Sequence, residues 1–95
     1  MAVEVRLPAV LRRYTDGKGV VEAEGGNLKE LIANLDSKHP GIADQLIADG
    51  DLHRFVNIYI NDEDVRYLGK LAAPIKDNDV VSILPAVAGG SLPTA

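Results

Sequence analysis

Two histidines, three serines and two glycine pairs are the residues of this chain whose types could carry chemistry. His39 stands in a helix-ending His39-Pro40-Gly41, and His53 precedes a strand. Neither lies at metal-ligand spacing from the other, and no nearby pattern supplies a third ligand. Ser37, Ser82 and Ser91 have no nucleophile-elbow or triad context. Asp62-Glu63-Asp64 lacks the spacing of a calcium loop and reads as a solvated turn. Gly25-Gly26 and Gly17-Lys18-Gly19 lack the strand-loop-helix fingerprint of a phosphate site and read as turns. Cysteine is absent, which excludes a disulfide scaffold, a thiolate metal site and cysteine catalysis within the chain. The expectation is therefore no catalytic residue, no metal and no bound cofactor in the chain itself.

Gly89-Gly90 differs from the other pair by its position. Nine glycines in 95 residues supply about one such pair by chance, so the dipeptide alone says little. It follows the last strand, after the uncharged Pro85-Ala86-Val87-Ala88. A six-residue tail of this kind reaches roughly 20 Å when extended. Its small side chains suit a narrow channel, and glycine, lacking Cβ, leaves its carbonyl open to attack from several sides. A plain linker tail is the competing reading.

The rest of the chain must position that tail. Its length leaves room for one domain, and hydrophobic residues make up 46% of it. A domain this small buries only about 60–65% of its unfolded surface, so it suits presenting a surface better than enclosing a substrate. Fourteen acidic against ten basic residues give a net charge of -4. Nucleic-acid binding needs a basic face, and Arg12-Arg13, with Arg6 and Lys18 near, reads as a solvated edge. No basic-then-apolar leader and no apolar run approaching about 18 residues are visible, so the expectation is a soluble, cytoplasmic protein without a membrane partner.

Val3, Val5 and Leu7 alternate with polar residues and predict a strand ended by Pro8. Leu11 to Tyr14 leads into the Asp16-Gly17-Lys18-Gly19 turn, and Val20, Val21 and Ala23 predict the returning strand of a hairpin. Asn27 can cap a helix, and Glu30 can reach back in a capping-box-like arrangement. Leu28, Leu31, Ile32 and Leu35 then form one apolar face of a helix over about 28–38. Ile42, Leu46 and Ile47 predict a short second helical piece ended by Asp49-Gly50. Phe55 to Ile60 is the strongest strand, Asn61 to Asp64 a turn, and Val65 to Tyr67 a short returning strand. Leu71 to Ile75 is an irregular or single-turn stretch. Asn78 can take a left-handed turn, and Val80 to Leu84 is the last strand. Strand parity predicts a core of Val3, Val5, Leu7, Leu28, Leu31, Ile32, Leu35, Val56, Ile58, Ile60, Val81 and Ile83. The order is an α+β layout matching the β-grasp of ubiquitin: a mixed sheet of four to five strands with one main helix packed across it.

Asn61-Asp62-Glu63, Leu71, Ile75, Asp77-x-Asp79-Val80 and Ile83 through Gly90 together resemble the MoaD/ThiS family of ubiquitin-like sulfur carriers. The stretch His53 to Arg66 is similar to one branch of it, the CysO-type carriers of an alternative cysteine biosynthesis. The resemblance is strong in motif over 52–90 and is one of layout in the first half. It implies a β-grasp domain over 1–85 and a flexible carrier tail over 86–90, and for a carrier the extension over 91–95 is expected to be removed by proteolysis. It implies that an E1-like enzyme spends ATP to adenylate the carboxylate of Gly90, beside Gly89. Sulfur then replaces AMP to leave a thiocarboxylate. A pyridoxal-phosphate-dependent cysteine synthase would accept the sulfur, and a zinc metallopeptidase of the JAMM type would release the product. The chain is on this view a co-substrate of partner enzymes rather than an enzyme.

Two departures from the family pattern stand out. Asn78 replaces a usual glycine, and Ser91-Leu92-Pro93-Thr94-Ala95 follows the glycine pair. A peptide-bonded Gly90 has no carboxylate to adenylate, so cleavage between Gly90 and Ser91 is required. The alternatives are the small sulfur-carrier subunit of molybdopterin synthase and a non-catalytic ubiquitin-like binding module. Strand parity also places Phe55, Tyr59 and Leu84 on the sheet face away from the helix. With Ala86, Val87 and Ala88 they are the expected partner-binding residues.

Overall fold

The computed structural model describes residues 2–54 and 56–85. The chain begins with β1 (Val3–Arg6), a 3-10 helix over Ala9–Thr15, and β2 (Val20–Ala23). Then come α1 (Leu28–Lys38), α2 (Ala43–Leu46), β3 (Ile47–Ala48) and β4 (Asp51–Leu52). β5 (Val56–Ile60) and β6 (Glu63–Asp64) precede 3-10 turns at Val65–Tyr67 and Lys70–Ala72, and β7 (Val80–Pro85) ends the described chain. The main sheet has the order β2-β1-β7-β5-β6. β7 runs parallel to β1, with Val5 opposite Val81, and antiparallel to β5, with Ile58 opposite Ile83. This is a β-grasp arrangement in which the last strand occupies the centre.

α1 forms where its periodicity places it. The Asn27 side chain accepts the Glu30 amide at 2.8 Å, and the Glu30 carboxylate accepts the Gly26 amide at 2.9 Å. Two donors of the helix entry are thus satisfied reciprocally. The Leu28 amide donates to the Ala73 carbonyl at 3.0 Å, and the Ile75 amide to the Gly26 carbonyl at 3.0 Å. These bonds tie the helix start to the loop before β7. A Cβ on Gly25 would collide with the Leu31 amide nitrogen and sit 2.8 Å from the Glu30 carbonyl carbon. Gly25 therefore lets the chain pass directly against the first turn of α1.

All twelve residues expected in the core are buried. Leu11, Val21, Ala23, Ile42, Leu46, Val65, Ala73 and Ile75 join them. Thr15 is the buried polar side chain among the described residues. Its hydroxyl lies 2.7 Å from the Lys18 carbonyl and 3.1 Å from that of Arg12, so its burial costs no unpaired hydrogen bond.

Two local expectations are corrected. Asp49 and Gly50 both have positive φ, 55° and 78°, and turn a β3–β4 hairpin instead of ending a helix that includes Ile47. Two residues per strand is too short for a periodic signal, although Asp-Gly is the residue pair such a turn prefers. The returning strand is Glu63–Asp64, not Val65–Tyr67, because Asn61 and Asp62 (φ 51° and 73°) make the two-residue turn by themselves. Val65 then leaves the strand for a 3-10 turn that drives it into the core. The stretch before the first turn, over Ala9–Thr15, is a 3-10 helix. Asn78 is left-handed as its type suggests, with φ 71°.

Candidate functional site

The site is built around the end of β7. β7 pairs with β1 as far as Ser82 and with β5 as far as Pro85, so over its last three residues it is held by β5. Its last described residue, Pro85, pairs with Val56 at the start of β5. The expected sulfur-bearing and processing residues Gly89, Gly90 and Ser91, the tail residues Ala86, Val87 and Ala88, and Phe55 all lie outside the described residues. Of the expected site, the structure places Tyr59 and Leu84.

Burial alternates along β7 and β5, so Ser82 and Leu84 face away from α1, as do Asn57 and Tyr59. The register sets Leu84 opposite Asn57, and Tyr59 between Ser82 and Asp64. Leu84 is 48% exposed, while Tyr59 is half-buried. The same face carries the polar Glu4, Arg6, Glu22 and Ser82 together with the apolar Val20 and Val80. Farther across the sheet, Arg6 donates to Glu4 at 2.6 Å.

Arg66 is a residue of this face that the sequence did not single out. Its guanidinium donates to the Asn57 side chain at 2.7 Å and to the Val56 carbonyl at 3.4 Å, with an Asp64 oxygen at 3.6 Å. Val56 and Asn57 are the partners of Pro85 and Leu84. Arg66 therefore braces the β5 segment that flanks the chain exit. The signal for it was weak: an arginine two residues after the aspartate that caps its turn, Asp64, whose carboxylate accepts the Arg66 amide at 2.9 Å.

The motif residues Asn61 and Asp79 prove to be a clasp at the other end of β7. The Asn61 amide donates to the Val80 carbonyl at 2.9 Å, and its side-chain oxygen accepts the Val80 amide at 3.0 Å. The side-chain nitrogen of Asn61 donates to Asp79 at 2.8 Å, and the other Asp79 oxygen accepts the Lys76 amide at 2.8 Å. One asparagine thus locks the entry of β7 to the turn after β5.

His53 and Gln45 line a mainly apolar groove with Pro8, Val10, Leu11, Val56 and Pro85. His39 follows the last turn of α1, where its amide donates to the Leu35 carbonyl at 2.8 Å. Asp51, on the β3–β4 hairpin, has its carboxyl held below the ordinary range by the Leu52 amide, with Lys70 at 3.5 Å adding to the effect. Among the described residues no three His, Asp or Glu side chains gather as a metal site, and no helix is long and apolar enough to cross a membrane. Chemically, this arrangement offers a strand end paired with β5 and flanked by a small polar and apolar face that includes Tyr59 and Leu84.

Comparison with known proteins gives a consistent picture. The profile of the ThiS family matches residues 5–90. The chain is 50% identical over 93 residues to a sulfur carrier protein CysO of Mycobacterium tuberculosis, covering 95% of this chain and all of that one. It is 30% identical over 92 residues to small archaeal modifier protein 3 of Haloferax volcanii, covering 95% of this chain and all of that one. Its fold is similar to a chain in the crystal structure of the Amycolatopsis orientalis BexX/CysO complex, with a TM-score of 0.89 and 50% identity over 94% of this chain and all of that one.

Proposed function

Because the chain belongs to the ThiS family, we propose that it is a sulfur carrier that serves cysteine biosynthesis and bears its sulfur on the carboxylate of Gly90. The observation that carries this reading is the 50% identity to a CysO sulfur carrier over nearly the whole chain. The β-grasp sheet order supports it, since Gly89-Gly90 follows the central strand β7 closely in sequence. In the first step a partner enzyme cuts the Gly90–Ser91 bond and releases residues 91–95. An E1-like enzyme then joins the freed carboxylate to AMP, with pyrophosphate leaving. A sulfur donor attacks the acyl carbon, AMP departs, and a thiocarboxylate remains. The thiocarboxylate sulfur adds to an aminoacrylate held by a pyridoxal-phosphate enzyme, leaving cysteine acyl-linked to Gly90, and a zinc peptidase hydrolyses that link to give cysteine and the Gly90 carboxylate. The chain contributes no general acid or base; it presents the acyl group. Leu84, Tyr59 and Phe55 form the docking face for the activating enzyme, with Ala86, Val87 and Ala88 threading toward its nucleotide.

The test compares the chain ending at Gly90 with the chain ending at Ala95, each incubated with an E1-like enzyme, ATP and a sulfur donor. Replacement of one oxygen by sulfur adds about 16 Da to the intact mass. Only the shorter chain is expected to gain it when no peptidase is present. Equal gain by both chains overturns the processing step. If neither gains it, the non-catalytic binding module becomes the better reading, for which the uncut extension speaks. Sulfur uptake followed by transfer to a molybdopterin precursor, and not to an aminoacrylate acceptor, would assign the molybdopterin synthase subunit instead.

A further inference from the structure

The two outer edges of the main sheet are met by side chains reaching in from neighbouring elements. β2 is one edge strand and pairs with β1 on its inner side. The Leu7 amide donates to the Gly19 carbonyl at 2.8 Å, which makes Gly19, Val21 and Ala23 the residues that bond toward β1. Val20, Glu22 and Glu24 therefore turn their backbone groups outward. Two of those groups are taken by α1. The Asn34 side-chain oxygen accepts the Glu24 amide at 2.9 Å, and the Lys38 ammonium donates to the Glu22 carbonyl at 3.3 Å. Asn34 and Lys38 are four residues apart, so they lie one above the other along the side of α1 next to β2. Burial of Leu31 and Leu35 fixes the rotation of the helix that puts them there. At the opposite edge, β6 is two acidic residues long, and beyond it the Arg66 guanidinium takes the Val56 carbonyl at 3.4 Å.

We propose that Asn34 and Lys38 are guards of the β2 edge, which keep the chain from pairing through β2 with a second copy of itself. An edge strand with free outward groups is a template for another strand. A second copy fits this edge well. Antiparallel pairing about a two-fold axis at Val21 sets Val20 of each copy opposite Glu22 of the other. No two like charges then face one another directly, and Val20, 54% exposed in the single chain, gains cover. Lys38 opposes this pairing in two ways. It occupies the Glu22 carbonyl that the register needs, and it lays a flexible charged chain along the edge. Asn34 occupies the Glu24 amide, where the same ladder would continue. The guard acts whether or not the chain carries sulfur.

The experiment uses the full chain and reads its oligomeric state by sedimentation across a wide range of concentration. Asn34→Ala combined with Lys38→Met removes both bonds and puts good helix formers into α1, so the helix is retained. Wild type is expected to stay monomeric. The double variant is expected to dimerise, with an association constant raised at least about tenfold. Solvent exchange of the Val20 and Glu22 amides should slow in that dimer. Val20→Pro, added to the double variant, removes an outward amide without breaking a bond to β1 and is expected to restore the monomer. Lys38→Arg keeps a donor and is expected to behave as wild type. A wild-type chain that dimerises as readily as the double variant overturns the proposal. So does a folded double variant that stays as monomeric as wild type. A dimer that survives Val20→Pro also overturns it, because the contact then lies elsewhere. Should the double variant unfold, Lys38→Met alone decides: its side chain is exposed, so the core is untouched, and association equal to wild type overturns the proposal.

Discussion

The clasp at the entry of β7 can be tested by changing a single atom type. Asn61→Asp keeps the side-chain shape, tolerates the left-handed backbone at φ 51°, and retains the oxygen that accepts the Val80 amide at 3.0 Å. It replaces the amide nitrogen, now donating to Asp79 at 2.8 Å, with an oxygen that faces a carboxylate. The lost hydrogen bond is worth about 0.5–1.5 kcal/mol. Two like charges about 4 Å apart in a solvated setting add about 1 kcal/mol of repulsion. The expected cost at pH 7 is therefore about 1.5–2.5 kcal/mol in urea unfolding, a sizeable part of the stability of so small a domain. The sign with pH follows from linkage. Repulsion raises the folded-state pKa of one carboxyl in the variant above its unfolded value. The penalty is then present above that raised pKa and is relieved as pH falls through it. The double change Asn61→Asp with Asp79→Asn restores a donor and an acceptor with reversed polarity. The amide oxygen introduced by Asp79→Asn can still accept the Lys76 amide, so most of the loss should be recovered. A single variant within about 0.5 kcal/mol of wild type at pH 7, or a double variant no more stable than the single, refutes the clasp.

Leu31 is 1% exposed at the centre of the α1 face, so Leu31→Ala should cost about 2–5 kcal/mol in chemical denaturation; a loss below about 0.5 kcal/mol would show that the helix does not rest on the sheet as described. Gly25→Ala forces a methyl against the backbone of α1 and should cost about 1–3 kcal/mol, whereas Gly26→Ala, whose nearest neighbour is the far end of the Glu30 side chain at 3.3 Å, should cost less. Equal costs at the two positions would remove the close-approach argument. Leu84→Ser alters an exposed side chain, so it should leave the unfolding midpoint near wild type while weakening binding to an activating enzyme, and Phe55→Ala should weaken that binding too. Unchanged affinity in titration calorimetry for both variants would take this face out of the docking surface.

Much of this protein was readable one segment at a time. The helix over 28–38, its Asn27 cap and the inward parity of β1, β5 and β7 follow from local rules, because helix and strand periods and capping bonds join residues close in sequence. The glycine pair near the end of the chain was equally visible, and its chemical meaning came from resemblance to a family. The β3–β4 hairpin was missed because its strands are too short to carry a period, and Val65 was misplaced because burial overrode the strand propensity of Val65–Tyr67. The features that position the site belong to the tertiary structure alone. Residues alone did not specify that β7 would enter between β1 and β5; only the β-grasp likeness implied it. The Asn61–Asp79 clasp, the Arg66 brace on Val56 and Asn57, and the groove joining Val10, His53 and Pro85 each unite residues remote in sequence. Such contacts form only once the sheet has closed, because the entropy of bringing distant segments together is repaid by the whole set of pairings and not by any one of them.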